Sequence, residues 1–482
     1  MNLTVVSKNI GLALLFDAAF MLLGAVVSLI YGADSALSPL FLSGIITMVT
    51  GLFPVIFVRG GSRTVKIKEG FAIIVFAWLL SCLFGMLPYV LWGGEFSLIN
   101  AWYESVSGFT TTGATILTDI EALPHGLLFW RSSTHFIGGI GVVVFMLLIM
   151  PNLSTFRLRL SKIEINTLSR ENYSYKARET VIIIAGVYVI LAIVAMFALM
   201  LAGMDWFDAI NHAFSTVATG GFSTRNESIL SFHSDAINIV LMVFMFLGSV
   251  HFGLLYATVA HWTPKLFKSP VTKFYVKTVL VASLLIIIGI KLSGDASSWW
   301  DAIMKGLFQC VSVITTTGFA TADTSVWPPF VILILLYLGI QCACSGSTSG
   351  GIKSDRVFIF FKSVRTQLVK TAHPNAIVHV RNGGHIIDPE LVSSINLFIV
   401  LYMSIIFVMA VIFTAMGIDF MDAFSASVSN MGNIGPGFGN VGSMSNYSQF
   451  PVLAKFLSTV QMLMGRLEIY SFIMIFTIHR WK

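Results

Sequence analysis

Apolar stretches of about twenty residues alternate with short polar segments along almost the whole chain, and about twenty residues is what an α-helix needs to cross a bilayer. Ten such stretches are predicted as spanning helices, near 9–31, 37–58, 71–93, 127–150, 180–203, 236–260, 277–293, 328–352, 394–416 and 452–478. The eighth is the least regular, because Cys, Ser and Gly replace aliphatic side chains in its second half. A single Lys8 precedes the first, with no small-residue cleavage site of the usual kind, so this stretch is expected to be a retained helix and not a signal peptide.

Composition narrows the class. Of 482 residues, 56% are hydrophobic and 11% charged, where a soluble chain carries roughly 25% charged residues. The 29 Lys+Arg and 23 Asp+Glu cannot coat the polar surfaces that soluble domains of this total length would need. An all-α polytopic membrane protein is expected. The net charge of +6 would also suit a nucleic-acid partner, so the position of the bases decides between the two. Arg59, Arg63, Lys66 and Lys68 follow the second span, and Arg157, Arg159, Lys162, Arg170, Lys176 and Arg178 follow the fourth. Lys265, Lys268, Lys273 and Lys277 follow the sixth; Lys353, Arg356, Lys362, Arg365, Lys370 and Arg381 follow the eighth. With Lys8, Arg480 and Lys482 they make 23 of the 29, all on one side if the chain crosses ten times. The positive-inside rule then puts both termini in the cytoplasm. The basic excess is topological, and no nucleic acid is expected, since the bases form no single aromatic-interleaved patch. Cys82, Cys310, Cys342 and Cys344 suggest no disulfide framework, and no further thiolate or His ligands stand near the Cys342/Cys344 pair. They read as small buried membrane residues.

Four segments on the side opposite the basic loops resemble one another: NAWYESVSGFTTTGAT (100–115), DAINHAFSTVATGGFST (208–224), DAIMKGLFQCVSVITTTGFAT (301–321) and DAFSASVSNMGNIGPGFG (422–439). Each opens on Asn or Asp followed by Ala, runs two to three helical turns, and reaches an aligned glycine, Gly113, Gly221, Gly318 or Gly435. The separations are 13, 13, 17 and 13 residues, and the extra four are close to one helical turn. Each segment is expected to be a short helix capped by its Asp or Asn, ending in an extended Gly/Thr strand. Non-helical backbone at membrane depth is tolerated only where it is buried in protein or lines a water-filled cavity. Four copies, each flanked by apolar spans, predict a pseudo-fourfold ring whose inward carbonyls could replace the hydration shell of K+. Glycine allows the dihedrals that this requires, and the carboxyl ends of the short helices favour a cation. The predicted filter is Thr111, Thr112 and Gly113; Thr219, Gly220 and Gly221; Thr316, Thr317 and Gly318; and Asn433, Ile434 and Gly435.

These segments, with FWRSSTHFIGGIGV (129–142), GSTSGGIK (346–353) and GRLEIY (465–470), resemble the Trk/Ktr/HKT superfamily of potassium transporters over essentially the whole chain. Two spans before the first repeat make it similar to the Trk-type membrane subunit. The resemblance implies two N-terminal helices (1–68) and four pore repeats (69–155, 156–264, 265–385 and 386–482). It further implies a multi-pass protein of a bacterial inner membrane, in contact with lipid, and a homodimer with one permeation path in each subunit. Glycine at all four aligned positions argues for potassium, since some plant members that carry Ser at the first go with sodium transport. The fourth strand departs most, with Asn433-Ile434-Gly435-Pro436, and a less regular ring implies weaker ion discrimination. The chain has no Walker A or Rossmann fingerprint. The resemblance therefore implies separate cytosolic nucleotide-binding (TrkA-like) regulatory subunits, docking on basic loops such as 157–178 and 353–383. No cofactor is expected, and K+ enters as the transported ion.

The eighth span is interrupted by Cys344, Ser345, Gly346, Ser347, Thr348, Ser349, Gly350, Gly351, Ile352 and Lys353. A flexible helix end at the cytoplasmic surface is one reading. The spacing from Gly318 instead puts the run at membrane depth, where the first repeat is still apolar at Gly138–Val143. The resemblance matches it to an intramembrane loop that obstructs the path, with Lys353 as part of the barrier. Arg466 is another intramembrane charge, which costs about 2.5–3.5 kcal/mol at a helix centre on insertion scales and so must face protein or water. Glu468, two residues on, is a poor partner by helical geometry. A structural ion pair with another helix would account for Arg466; the resemblance points to an electrostatic constriction acting with the loop.

Glu104, Asp119 and Glu121 are expected on the outer side, where they could concentrate cations or simply lie in a solvated loop. Asp17 and Arg131 read as helix-packing or interfacial residues, and His212 and His251 as hydrogen-bonded core histidines. No nucleophile–base or metal-ligand set appears at membrane depth, so no enzyme is expected. Coupled cation symport, by H+ or Na+ through discontinuous helices, remains the alternative to a gated pore.

Overall fold

From the second repeat onward, full-length and broken helices alternate along the chain. The computed structural model describes residues 2–58, 67–149 and 177–477. The bases Arg59, Arg63, Lys66, Arg157, Arg159, Lys162, Arg170, Lys176, Arg480 and Lys482 lie outside the described residues. Among those described, six stretches are long and apolar enough to cross a bilayer unbroken: Leu3–Ile30, Leu37–Phe57, Glu69–Trp92, Ile182–Leu201, Pro270–Ser293 and Pro389–Ala415. The last four each open a repeat. A pore helix follows, at Leu98–Phe109, Trp206–Val217, Trp299–Ile314 or Phe420–Gly432, then an extended strand and a second helix.

Three of the four second helices are broken, where the sequence predicts an interruption in the eighth span alone. His125–Ile149 runs for 25 residues. Asp235–Ser249 stops and resumes as Phe252–Ala260 after a bend of 105°. Pro329–Gln341 ends after 13 residues, and helix returns only at Ser354–Ala372. Val452–Arg466 breaks at Leu467–Glu468, where Glu468 takes φ +61°, and continues as Ile469–Thr477. The sixth, eighth and tenth spans are thus half-span helices followed by breaks. Unpaired backbone at such depth is expensive, and the breaks persist because the freed groups find partners elsewhere. The His251 ring accepts from Gly253 N at 3.0 Å, and Phe252 N donates to Gly346 O at 3.1 Å.

Polarity is turned inside out. Leu12, Phe53, Leu284 and Val411 are exposed on the helix exteriors, while Ser105, Thr110, Ser215, Thr216, Ser312 and Ser427 are buried at the centre. A lipid solvent permits this, since apolar side chains need no shelter from hydrocarbon and backbone polar groups must be paired internally. The N-terminal hairpin packs through small residues, as close helix approach in a membrane requires: a Cβ on Gly11 would sit 2.6 Å from Gly51 O. The hairpin joins the first repeat through Asp17, which accepts from Ser81 Oγ at 2.6 Å, and Asp34, which accepts from Gly126 N at 3.1 Å. Asp17 is therefore a buried, hydrogen-bonded packing residue. All four cysteines are buried and free.

The pore helices start one turn earlier than the sequence suggested. Their N-caps are Ser97, Asp205, Ser298 and Asp419, and the aligned Asn100, Asp208, Asp301 and Asp422 stand at the third helical position. There an acid still faces the positive end of the helix dipole. The helices have 12, 12, 16 and 13 residues, so the four extra residues of the third repeat form one added turn.

Candidate functional site

All four pore helices end in the same way. Thr111, Thr219, Thr316 and Asn433 adopt left-handed φ of 51°, 54°, 60° and 54°. Their N–H groups bond back three residues, to Gly108, Thr216, Val313 and Asn430, and the next N–H bonds back five, to Ser107, Ser215, Ser312 and Ser429. This is the Schellman pattern, normally completed by glycine; a β-branched Thr in that conformation costs about 1–2 kcal/mol. Two residues on, Gly113, Gly221, Gly318 and Gly435 take φ of 80°, 85°, 81° and 107°. Alternating left-handed residues turn successive carbonyls the same way, which an ordinary strand cannot do.

The glycines also establish how the strands meet. A Cβ on Gly113 would strike Gly220 O, one on Gly221 would strike Thr317 O, and one on Gly318 would strike Ile434 O. One on Gly435 would lie 2.7 Å from Thr112 O. Each glycine thus abuts the carbonyl of the residue before the next glycine, and the contacts run from repeat one through four and back to one. Eight of the twelve residues picked out from the sequence form one closed ring, and Thr111, Thr219, Thr316 and Asn433 join it to the pore-helix ends. Gly113, Gly221 and Gly318 are half-exposed, while the residues before them are buried.

The fourth strand is set apart by its hydrogen bonds. Gly435 O accepts from Ser429 Oγ at 2.8 Å and from Tyr447 Oη at 3.1 Å, which uses both lone pairs. Asn433 Nδ2 donates to Thr112 Oγ1 at 2.9 Å and to Met462 O at 3.0 Å, tying the inner end of this strand to the first repeat and the last helix.

The 342–353 segment lies against the inner side of the ring. Gly350 N donates to Thr316 Oγ1 at 3.0 Å. Thr348 Oγ1 donates to Val217 O at 2.9 Å and Gly248 O at 3.2 Å, and stands 3.4 Å from Thr219 Oγ1. A Cβ on Gly350 would collide with Gly432 O, so the backbone can approach this closely only as glycine. Ser345 N donates to Asp355 Oδ2 at 2.6 Å, and Cys344 N to Ser249 O at 3.2 Å, which anchors the start of the segment. Ser347 Oγ pairs with Ser349 Oγ at 3.0 Å. Gly346 and Gly351 take left-handed φ of 77° and 71°. Lys353, half-buried, donates from Nζ to Ser349 O.

Arg466 is buried and joins this segment to the first repeat: Nη1 donates to Thr348 O at 2.6 Å and Nη2 to Gly138 O at 3.2 Å. Its partners are backbone carbonyls, so the ion pair considered from the sequence does not account for it. Glu468 instead accepts from Arg356 Nη2 at 2.8 Å, and the Arg356 guanidinium sits 4.1 Å from the Phe398 ring centre.

Glu104 does not lie in a solvated outer loop. It is fully buried and pairs with Arg131 at 2.6 Å, behind the first two strands. The signal was in the sequence, since two opposite charges within apolar surroundings each require a partner. Asp119 and Glu121 are exposed but engaged across repeats: Asn226 donates from Nδ2 to Asp119 at 2.9 Å and from its backbone N to Glu121 at 3.2 Å. The Asn226 amide holds the Asp119 carboxyl below the usual carboxylate range. His212 is a buried core residue with both nitrogens used, Nδ1 with Asp208 O at 2.7 Å and Nε2 with Ser223 Oγ at 2.9 Å. His251 serves as a helix cap. No cluster of three or more His, Cys, Asp or Glu side chains suited to a metal ion occurs among the described residues.

Comparison with known proteins agrees with this geometry. Residues 38–480 match the model of the TrkH family, described as cation transport protein. The chain is 32% identical to the Trk system potassium uptake protein TrkH of Halomonas elongata and 30% identical to that of Escherichia coli K12, each over 100% of both chains. It is 31% identical to the Escherichia coli K12 Trk system potassium uptake protein TrkG, over 100% of this chain and 99% of the other. The crystal structure of the potassium transporter TrkH from Vibrio parahaemolyticus superposes with a TM-score of 0.90 at 30% identity, covering 100% of each chain.

Proposed function

From the premise that this chain belongs to the TrkH family of cation transport proteins, we propose that it takes up potassium across a bacterial inner membrane through a gated, channel-like pore. The observation that carries this reading is the closed ring in which each glycine abuts its neighbour's carbonyl. Carbonyls of Thr112, Gly220, Thr317 and Ile434, with those of Gly113, Gly221 and Gly318, would replace the water shell of a dehydrated K+. The pore-helix carboxyl ends, aimed at the same region, favour a cation over an anion. Gly113 at the first aligned position supports potassium over sodium. Beneath the ring, Ser345–Lys353 and Arg466 form the gate: the loop backbone occupies the inner mouth, and a buried guanidinium there repels cations. Lys353 adds to this barrier.

The functional unit in this reading is a homodimer with one pore per subunit and both termini cytoplasmic. Separate nucleotide-binding regulatory subunits act on the gate from the cytoplasmic side, where the basic residues of 157–178 and 353–383 would meet them. Residues 1–68 form an N-terminal pair of helices, and 69–155, 156–264, 265–385 and 386–482 form the four repeats. Purified protein in a planar bilayer should give unitary currents with reversal potentials that follow the K+ gradient, and vesicle uptake should favour K+ and Rb+ over Na+. Preference for Na+, or uptake that moves H+ or Na+ in fixed stoichiometry without unitary currents, overturns the proposal in favour of symport.

A further inference from the structure

We infer that the buried Glu104–Arg131 pair positions the first two strands of the ring and thereby sets K+/Na+ discrimination; this rests on the filter reading above. Neither residue belongs to the ring or to the loop, yet both are buried, Glu104 at 0% and Arg131 at 2% exposure. Burying two charges is offset only when geometry is good and the remaining donors and acceptors are also used. Here they are used on the two strands. Glu104 accepts from Thr115 Oγ1 at 2.9 Å and from Ile116 N at 3.2 Å, just after Gly113. Arg131 donates from Nη1 to Ser223 O at 2.9 Å, just after Gly221, and its guanidinium lies 3.5 Å from the centre of the Phe222 ring. Phe222 is also stacked on His135 at 4.0 Å. A carboxylate fastened to one strand and a planar fork fastened to the other are thus joined at 2.6 Å.

No other junction in the ring is built this way. Nine residues before the other aligned glycines stand His212, Gln309 and Ala426. The second and third repeats meet through Ile229 N and Leu230 N on Ala320 O, the third and fourth through Ser443 Oγ on Ala322 O, and the fourth and first through Tyr447 N on Thr115 O. Among the described residues, Glu104–Arg131 is the only ion pair joining two strands. An arginine that donates from Nε to Glu104 and from Nη1 to Ser223 O while stacking on Phe222 is stiffer than a single neutral hydrogen bond. Its effect is to hold the spacing of Thr112 and Gly220 against contraction onto a smaller ion.

Arg131→Lys tests this, because it keeps the charge but cannot reach Glu104 and Ser223 O together while stacking on Phe222. The K+/Na+ permeability ratio should fall about tenfold, equal to about 1.4 kcal/mol of discrimination, with a raised K+ half-saturation and retained Na+ flux. A merely structural pair would lower yield or thermal stability and leave the ratio unchanged. Should Arg131→Lys fail to fold, Thr115→Val and Phe222→Leu each remove one attachment and should shift the ratio less, in the same direction. Gly113→Ser serves as the reference for the ring itself. A shifted ratio in Gly113→Ser with wild-type ratios in the folded brace variants overturns this inference alone. An unshifted ratio in Gly113→Ser overturns the filter reading, and the inference with it.

Discussion

The ring and the loop beneath it touch one another but are built by opposite means. Each strand of the ring is closed by its own pore helix through the same backbone hydrogen bonds and the same left-handed pair of residues, four times over. The 342–353 segment exists once, in the third repeat, and is held largely by groups from elsewhere: Arg466 from the fourth repeat, Val217 and Gly248 carbonyls from the second, and Asp355 from the helix that follows. Backbone closure leaves a strand no alternative of similar energy. Side-chain anchors, each worth a net 0.5–1.5 kcal/mol or roughly twice that when charged, can be exchanged for water or another partner. The difference teaches that, on the proposed reading, selectivity is placed where geometry is redundant, and gating where a few contacts decide between two positions.

The comparison breaks most completely at the glycines. Gly221→Ala introduces a Cβ onto Thr317 O and demands φ of 85° from a residue that disfavours it. The left-handed conformation costs about 1–2 kcal/mol and the overlap about 1–3 kcal/mol more, so K+ uptake should fall about a hundredfold or more. Rb+ flux into vesicles, measured against the yield of folded protein, checks this. Near-normal flux would mean that the ring is not the conducting element.

The loop should respond in the opposite direction. Arg466→Ala removes charged donors to Thr348 O and Gly138 O. Two such bonds are worth roughly 3–6 kcal/mol before the relief of desolvating a buried cation is subtracted. A net shift of about 1.4 kcal/mol toward the released loop raises basal flux about tenfold. Open probability in a planar bilayer, without regulatory subunits, reads it directly. Unchanged open probability in a normally folded variant would remove Arg466 from the gate.

The ring was more legible in the sequence than the loop's anchors for the same reason that it is more rigid. Four copies of one glycine spacing, with one added turn in the third, carry their own internal control, and the structure brings all twelve residues together. The N-caps lie one turn before the Asn or Asp that the repeat pattern singles out, and the spacing Ser97–Asn100, Asp205–Asp208, Ser298–Asp301 and Asp419–Asp422 is itself a capping signal. The breaks at Val250–His251 and Leu467–Glu468 leave no mark on hydropathy, because their partners are remote; Phe252 N, for instance, bonds to Gly346 O. Charge partners were hidden for a related reason. Helix spacing rightly separated Glu468 from Arg466, but only the fold brings Arg356 within 2.8 Å of it.

The smallest predicted effect sharpens the comparison inside the ring, between its first three strands and its fourth. Gly435 O accepts two hydroxyl donors, from Ser429 and Tyr447, and is left with no lone pair for an ion. Tyr447→Phe removes one donor and keeps the aromatic packing on Phe450, whose ring centre is 5.1 Å away, and on Tyr103 at 5.8 Å. The backbone bond from Tyr447 N to Thr115 O at 2.8 Å also survives, so the junction of the fourth and first repeats stays closed. A freed lone pair makes the fourth carbonyl more like the others. One hydrogen bond is worth about 1 kcal/mol, so the K+ half-saturation concentration should fall up to about fivefold, with little change in maximal flux. Concentration-dependent Rb+ uptake separates the two quantities. If half-saturation rises instead, the Tyr447 bond is holding the Gly435 carbonyl in a useful orientation, and the fourth strand coordinates the ion as fully as the other three.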